Sequence, residues 1–413
     1  MNSEWKQITI ESSKIELIDG DRGKNYPKKN EMFEKGHTLF LNNKNIINDY
    51  LDVSTGEYIS VEKDKVLRKG KLQRNDIVLS TRGSVGNVGY FHKYIPFDNI
   101  RINSGMVIIR NLDEDINTNF LYHLLKSPSS KKQYQELMSG SVQNQLPIRD
   151  LKKLKLNIPP LHIQEKIAEV IDSIESKINL NKHILANIEQ LTQTLFNRWF
   201  FEFEFPNENG EPYKSSGGEL VESEFGLIPK GWMIKELGQI LDLDYGKPLK
   251  KENRENGKYP VYGSNGMVDY HKEFLVKGPG IIVGRKGNPG TVNFEISDFY
   301  PIDTTFYVTK KDQRCSWVFL YLLLLNQNLP SLSADSAVPG LNRNVAYKNK
   351  VIIPDMDIID QFDKITSPIF ERKYNLKEET LVLESIRNSL LPKLLSGEID
   401  IPIESEEEVH VQV

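Results

Sequence analysis

The strongest constraint on this chain is that it is one unit written twice. Trp5 and Trp232 lie 227 residues apart, and the glycine pairs Gly83/Gly86 and Gly287/Gly290 lie 204 apart. Phe120-Leu121-Tyr122 and Phe319-Leu320-Tyr321 lie 199 apart, and Ile158-Pro159 and Ile353-Pro354 lie 195 apart. Leu195 and Leu390 keep the offset of 195. The offsets fall in order along the chain. Chance matches would scatter, whereas a duplication with small deletions in the second copy gives this trend. The constant offset between Ile158 and Leu195 marks a stretch that tolerated no insertion, as expected of a long helix and not of loops.

Each copy reads as a mixed part followed by a helical part. Short β-like runs (77–80, 106–110, 281–283, 305–309), glycine turns and an apolar helix near its end make up the mixed part. The helical part follows the Ile-Pro stop. In the first copy Ile167, Ile171, Ile174, Ile178, Leu185, Ile188, Leu195 and Trp199 recur at steps of three and four, with Asn181 and Thr192 as polar interruptions. In the second, Phe362, Ile369, Leu376, Leu383 and Leu390 repeat every seven residues. Both are coiled-coil seams. Pro368 is expected to start or kink the second helix with Ser367 as its N-cap, and Gly397 to stop it.

The expected fold is therefore α+β: two pseudo-repeated mixed α/β domains separated by two long antiparallel coiled-coil helices. On a second reading each helix only completes the core of its own domain. The expected segments are a first domain over 1–157, a helical spacer over 158–200, a linker over 201–230, a second domain over 231–352, a second helical spacer over 353–400 and an acidic, disordered tail over 401–413.

Composition narrows the classes of function. With 53 Lys and Arg against 57 Asp and Glu the net charge is −4, so a DNA-binding role requires basic residues gathered on one face. Cys315 is the only cysteine, which excludes an internal disulfide and a cysteine metal cluster. Trp317–Leu325, the longest apolar run, is far below the ~18 residues of a membrane span and reads as a buried helix. The opening residues contain no apolar run, so we expect no signal peptide and a cytoplasmic location.

Two similar domains held apart by a stiff rod form a ruler, which suits a ligand with two separated features. Duplex DNA presents equivalent groove faces about every 34–36 Å. The candidate reading loops are the glycine pairs. Arg82, Ser84 and Asn87 flank the first, and Arg285, Lys286 and Asn288 flank the second. Glycine permits close backbone approach, Arg can bond guanine bidentately and Asn can bond adenine, and either can hold phosphate. A polar hairpin turn reads the same way. Further candidates are Lys24, Lys28 and Lys29, then Gln143, Asn144 and Gln145, Tyr262 with Asn265, and Asn342, Arg343 and Asn344; each taken singly also fits a solvated surface.

The same residues carry a family resemblance. IPPLHIQEKIAEVIDSIESKI (158–178) and LFNRWFFEFEFPNENGEPYKSSGGELVESEFGLIPKGW (195–232) resemble the central conserved region of type I restriction–modification specificity subunits. SLLPKLLSGEIDI (389–401) resembles their C-terminal conserved region. YPVYGSNG (259–266), GRKGNPGTV (284–292) and PIDTTFYV (301–308) resemble their target-recognition domains, as does STRGSVGNVGYF (80–91) in the first copy. The resemblance implies that each mixed domain is a target-recognition domain reading one half of a bipartite, asymmetric site on double-stranded DNA. It implies a non-catalytic chain whose helices space the domains and dock two methylation and two restriction subunits. S-adenosylmethionine, ATP and Mg²⁺ would act in those partners, leaving no cofactor in this chain.

Chemistry in the chain itself finds little support. A P-loop is absent, and no glycine-rich cofactor fingerprint follows a strand. Asn157-Ile158-Pro159-Pro160 departs from the adenine-methyltransferase pattern through the intruding Ile158 and through Leu161 in place of a stacking aromatic, and reads as a helix-entry turn. Pro354-Asp355 with Glu371 and Lys373 fits a loose nuclease pattern, but two residues apart on a helix Glu371 and Lys373 point about 200° away from each other. A scaffold that never contacts bases is the remaining alternative.

Overall fold

The computed structural model describes residues 5–139, 144–332 and 340–401. Contacts divide the chain into two compact units, residues 1–178 with 382–413 and residues 179–381. Both unit boundaries fall inside long helices. Gln143 and most of the acidic tail lie outside the described residues.

The first unit is built on a four-stranded antiparallel sheet ordered Ile15–Asp19, Met106–Asn111, Ile77–Ser80, Val88–Tyr90. Its strands alternate faces, as the period of two requires. Ile77, Leu79, Val107 and Ile109 enter one core with the helix Thr118–Lys126, and Val78, Met106 and Ile108 enter another. Burial on both faces explains why the run Ile77–Ser80 has no exposed polar alternation. Thr38–Leu41 forms a side sheet, antiparallel to Glu57–Ile59 and parallel to Ile100–Ile102. Lys6–Thr9 closes the unit against Lys155–Ile158.

The second unit repeats every one of these pairings. Its sheet runs Leu241–Tyr245, Thr305–Lys310, Gly280–Gly284, Val292–Glu295, antiparallel throughout. Tyr259–Gly263 lies antiparallel to Gly266–His271 and parallel to Tyr300–Pro301, and Met233–Glu236 pairs with Lys350–Ile353. Ile281, Val283, Phe306 and Val308 share a core with the helix Trp317–Leu325, which is buried as expected.

Two long helices span Leu161–Phe200 (40 residues) and Met356–Ser396 (41 residues) and start 195 residues apart. Within the second unit Asn181 donates to Glu379 at 2.8 Å, Lys373 pairs with Glu189 at 2.8 Å, and Trp199 meets Phe362. Within the first, Ile167 and Ile171 share a core with Leu394 and Leu395. In the second unit partner numbers fall as helix numbers rise, so the packing there is antiparallel. The halves also contribute to each unit's own core, so elements of both sequence readings coexist.

Two expectations are corrected. The second helix passes through Pro368, and Ser367 sits inside it instead of capping it. Proline removes the N–H that would satisfy the Lys364 carbonyl. Both residues are exposed, so water can take that acceptor while Phe362, Thr366 and Phe370 stay buried on the opposite face. Residues 201–230 are not a bare linker. Phe203 and Phe205 are buried, Phe205 stacks on Tyr213 and Trp232, and Leu220–Ser223 pairs with Gly226–Pro229 in a hairpin. The polar composition of this stretch conceals aromatic anchors at its start. The helix Met356–Ser396 does end at Gly397, whose φ of +71° permits the Glu398 N–H to reach the Lys393 carbonyl at 2.9 Å.

Candidate nucleic-acid interface

Each glycine loop joins two strands of a central sheet, and both close with the same hydrogen bonds. In the first unit the Ser80 N–H donates to the Asn87 carbonyl at 2.9 Å and the Gly86 N–H to the Ser80 carbonyl at 3.0 Å. In the second, Gly284 donates to Thr291 at 2.7 Å and Gly290 to Gly284 at 2.8 Å. Gly83, Gly86, Gly287 and Gly290 have φ of +71°, +90°, +82° and +81°, the left-handed region that glycine enters freely and a residue with a Cβ enters only at a cost. The recurring glycines are therefore required by the turn itself.

Neighbouring loops buttress it identically. The Gly105 carbonyl accepts from Thr81 and Arg82 at 2.8 and 3.2 Å, and the Thr304 carbonyl accepts from Arg285 and Lys286 at 2.9 and 3.1 Å. Leu146 donates to the Thr81 carbonyl and Leu341 to the Arg285 carbonyl, both at 2.9 Å. These pairs align Arg82 with Lys286 and place Arg285 at the position of Thr81. The two loop arginines are thus not equivalent. A third loop packs alongside: Asn43 donates to the Arg82 carbonyl, and the Ser264 carbonyl accepts from the Thr291 hydroxyl at 2.7 Å.

In each unit, then, four loops converge on one surface. The first carries exposed Arg82, Ser84 and Gln145 with half-buried Asn87 and Asn43, and the Asn43 Oδ1 has no hydrogen-bond partner among the described residues. Gln145 forms a bridge to Arg82, which joins two expected residues; Asn144 beside it is exposed. The second carries exposed Lys286, Asn288 and Asn265 and half-buried Arg285 and Arg343. Arg285 donates to the Asp303 carbonyl at 2.9 Å and Arg343 to the Leu243 carbonyl at 3.3 Å.

The structure places the other candidates differently. Tyr262 is only 4% exposed, and its hydroxyl donates to Glu295 at 2.6 Å. Burial, followed by the charge of Glu295, pushes that hydroxyl far above the usual phenol range, and the ring is part of the core. The Asn342 side-chain oxygen caps a short helix by accepting from the Asn344 N–H at 3.0 Å. Lys24, Lys28 and Lys29 are exposed, but among the described residues no hydrogen bond joins them to the glycine loop. Asn43, Ser264 and Tyr245 were missed by sequence reasoning. Their strand ends carry no motif, and only the alignment of the two copies could have pointed to the first two.

Catalytic geometry is lacking at the nuclease-like residues. Asp355 immediately precedes the helix Met356–Ser396 and Glu371 lies within it, 16 residues further on or about 24 Å along the axis, too far to share an ion. Lys373 is paired with Glu189. Asn157 lies on a strand and accepts from Gln7 at 3.2 Å. Among the described residues no cluster of three or more His, Cys, Asp or Glu could hold a metal, and no helix is long and apolar enough to cross a membrane.

The chain is thus a duplicated α/β unit that presents a loop face in each copy. Residues 2–190 and 229–379 match the type I restriction modification DNA specificity domain, and the chain belongs to this family. It is 25% identical over 395 residues to the type I restriction enzyme MjaIX specificity subunit of Methanocaldococcus jannaschii, covering 89% of this chain and 88% of that one. It is 23% identical over 488 residues to the HindI specificity subunit of Haemophilus influenzae, covering 96% and 100%. Its fold resembles the crystal structure of the type I restriction–modification S subunit from M. genitalium, with a TM-score of 0.66, 19% identity and 98% of both chains covered.

Proposed function

We propose that this chain is the DNA sequence-specificity subunit of a type I restriction–modification complex and carries out no chemistry itself. Each unit reads one half of a bipartite, asymmetric site with its four-loop face. The observation that carries this reading is that one backbone scaffold, hydrogen bond for hydrogen bond, presents two different sets of side chains. Arg82, Asn43 and Gln145 occupy the first face, and Arg285, Lys286 and Arg343 the second. A duplicated scaffold with divergent tips suits two unlike short sequences. An assembly scaffold indifferent to DNA has no use for that divergence.

The long helices act as the spacer that sets the gap between the half-sites, and they offer docking surface to two methylation subunits, joined by two restriction subunits. Support comes from their near-equal lengths and shared 195-residue offset. Methyl transfer from S-adenosylmethionine and ATP- and Mg²⁺-dependent cleavage belong to those partners, and the complex acts in the cytoplasm.

Methylome sequencing of cells with and without this gene tests the reading. A bipartite motif should be methylated in the first and unmethylated in the second. Identical methylomes would reject it.

A further inference from the structure

The second face contains a feature that the first lacks. Tyr245, at the end of the strand Leu241–Tyr245, is 48% exposed. The guanidinium carbons of Arg285 and Arg343 each lie 4.8 Å from the centroid of its ring. Arg285 is also 5.9 Å from the Phe306 ring. Each guanidinium is further tied to a backbone carbonyl, Asp303 for Arg285 and Leu243 for Arg343. Three unrelated segments therefore fix two arginines on one aromatic ring.

Neither arginine has a carboxylate partner among the described residues, although carboxylates neutralise Arg101, Arg110 and Arg254 elsewhere. Two cations sharing one ring repel each other, and ring and carbonyl contacts use only part of each fork of five N–H donors. What is left is a pre-oriented, unsatisfied donor array beside the exposed loop residues Lys286 and Asn288. In the first unit the aligned positions are Asp19, buried Thr81 and Ile148, which offer no such array.

The geometry points to a guanine reader: we infer that Arg285 and Arg343, held by Tyr245, donate to O6 and N7 of a guanine in the half-site read by the second unit. Guanine is the base that presents two acceptors side by side in the major groove, and an arginine fork matches them. Tyr245 is a positioning residue that limits the freedom the arginines lose on binding. This assignment rests on the specificity-subunit reading and adds the base and the residues.

The test uses the chain in complex with its methylation subunit. Exchange of residues 231–352 for those of a relative first identifies the half-site belonging to the second unit. That half-site should contain a guanine. Arg285→Lys together with Arg343→Lys should lower the preference for guanine at one position by roughly 5- to 150-fold, the range for one bidentate contact, with a smaller loss for each change alone, and leave the other half intact. Tyr245→Phe should keep the preference, and Tyr245→Leu should weaken it at the same position. With the unaltered protein, a duplex carrying 7-deazaguanine there should bind more weakly by a comparable factor, which removes any dependence on how a variant folds.

A half-site without guanine overturns the assignment. So does an unchanged preference in both lysine variants, or binding that ignores 7-deazaguanine. Methylation that falls equally at all sites would make the arginines a phosphate clamp and equally defeat it. If exchange of 231–352 alters no motif at all, the specificity reading itself fails and takes this inference with it.

Discussion

At the scale of single residues, the two copies solve the same packing problem differently. In the first unit Lys126 pairs with Glu175 at 2.6 Å, both nearly buried, and lies 4.4 Å from the Tyr122 ring. Burial, partly offset by Glu175, pulls the lysine below its ordinary pKa. The aligned residues in the second unit are Leu325 and Phe370, and Phe370 packs edge-on against Phe294 and Tyr321. Lys126→Met strands a buried carboxylate and should cost about 3–5 kcal/mol by denaturant unfolding. Lys126→Met with Glu175→Leu imitates the second unit and should recover most of that loss. A double variant as unstable as the single one would mean that the site cannot close around apolar side chains. The glycine loops allow a second comparison. An added Cβ at Gly287 meets the Ser264 hydroxyl at 3.4 Å, whereas at Gly290 it meets the Pro330 backbone nitrogen at 2.4 Å. Gly287→Ala adds backbone strain alone, about 1–3 kcal/mol. Gly290→Ala adds a clash that only backbone movement relieves, for a total of about 2–5 kcal/mol. Equal thermal shifts for the two would contradict this.

At the scale of elements, the long helices tie the repeat to the proposed function. Forty residues rise about 60 Å at 1.5 Å each, enough to bridge groove faces one to two duplex turns apart. Four residues inserted near Ala186 add about one turn, roughly 6 Å, and keep the seam close to register. The gap in the methylated motif should change while both half-sites keep their bases, and motif-resolved methylomes read this directly. An unchanged gap would remove the spacer role. These helices were legible in the sequence because their signal is local: steps of three and four sustained over many turns. The strands Ile77–Ser80 and Thr305–Lys310 were legible as short apolar runs for the same reason. Only the helix start at Pro368 was misread, because a proline's effect depends on whether its orphaned carbonyl faces water, and the seam alone does not decide that. The structure within residues 201–230 was not legible because Phe203 and Phe205 find Trp232, and Tyr213 finds Phe205, only once the chain has turned back on itself. Part of the site was legible for a different reason. Glycines at φ near +80° are demanded by the turn, so the loop announces itself, whereas Tyr245 matters only through Arg285 and Arg343, 40 and 98 residues away.

At the scale of the whole molecule, charge is the governing quantity. A chain of net charge −4 repels a polyanion at long range, so its affinity for DNA has to come from a few clustered cations. The faces supply few: Arg82 in the first unit, and in the second Lys286 beside Arg285 and Arg343, which are assigned to a base. So few phosphate-range contacts give a shallow dependence on salt, with a slope in log affinity of about −0.9 for each phosphate neutralised. The chain without its methylation partner should therefore bind duplex DNA weakly and with a shallow slope. The complex should bind far more tightly and lose affinity more steeply as salt rises, because most phosphate contacts would then come from the partner. Titrations at several salt concentrations, with and without that subunit, measure both slopes. Equal affinity in the two states would mean that the bare faces suffice, and the proposed division of labour, with sequence read here and backbone gripped by the partner, would have to be abandoned.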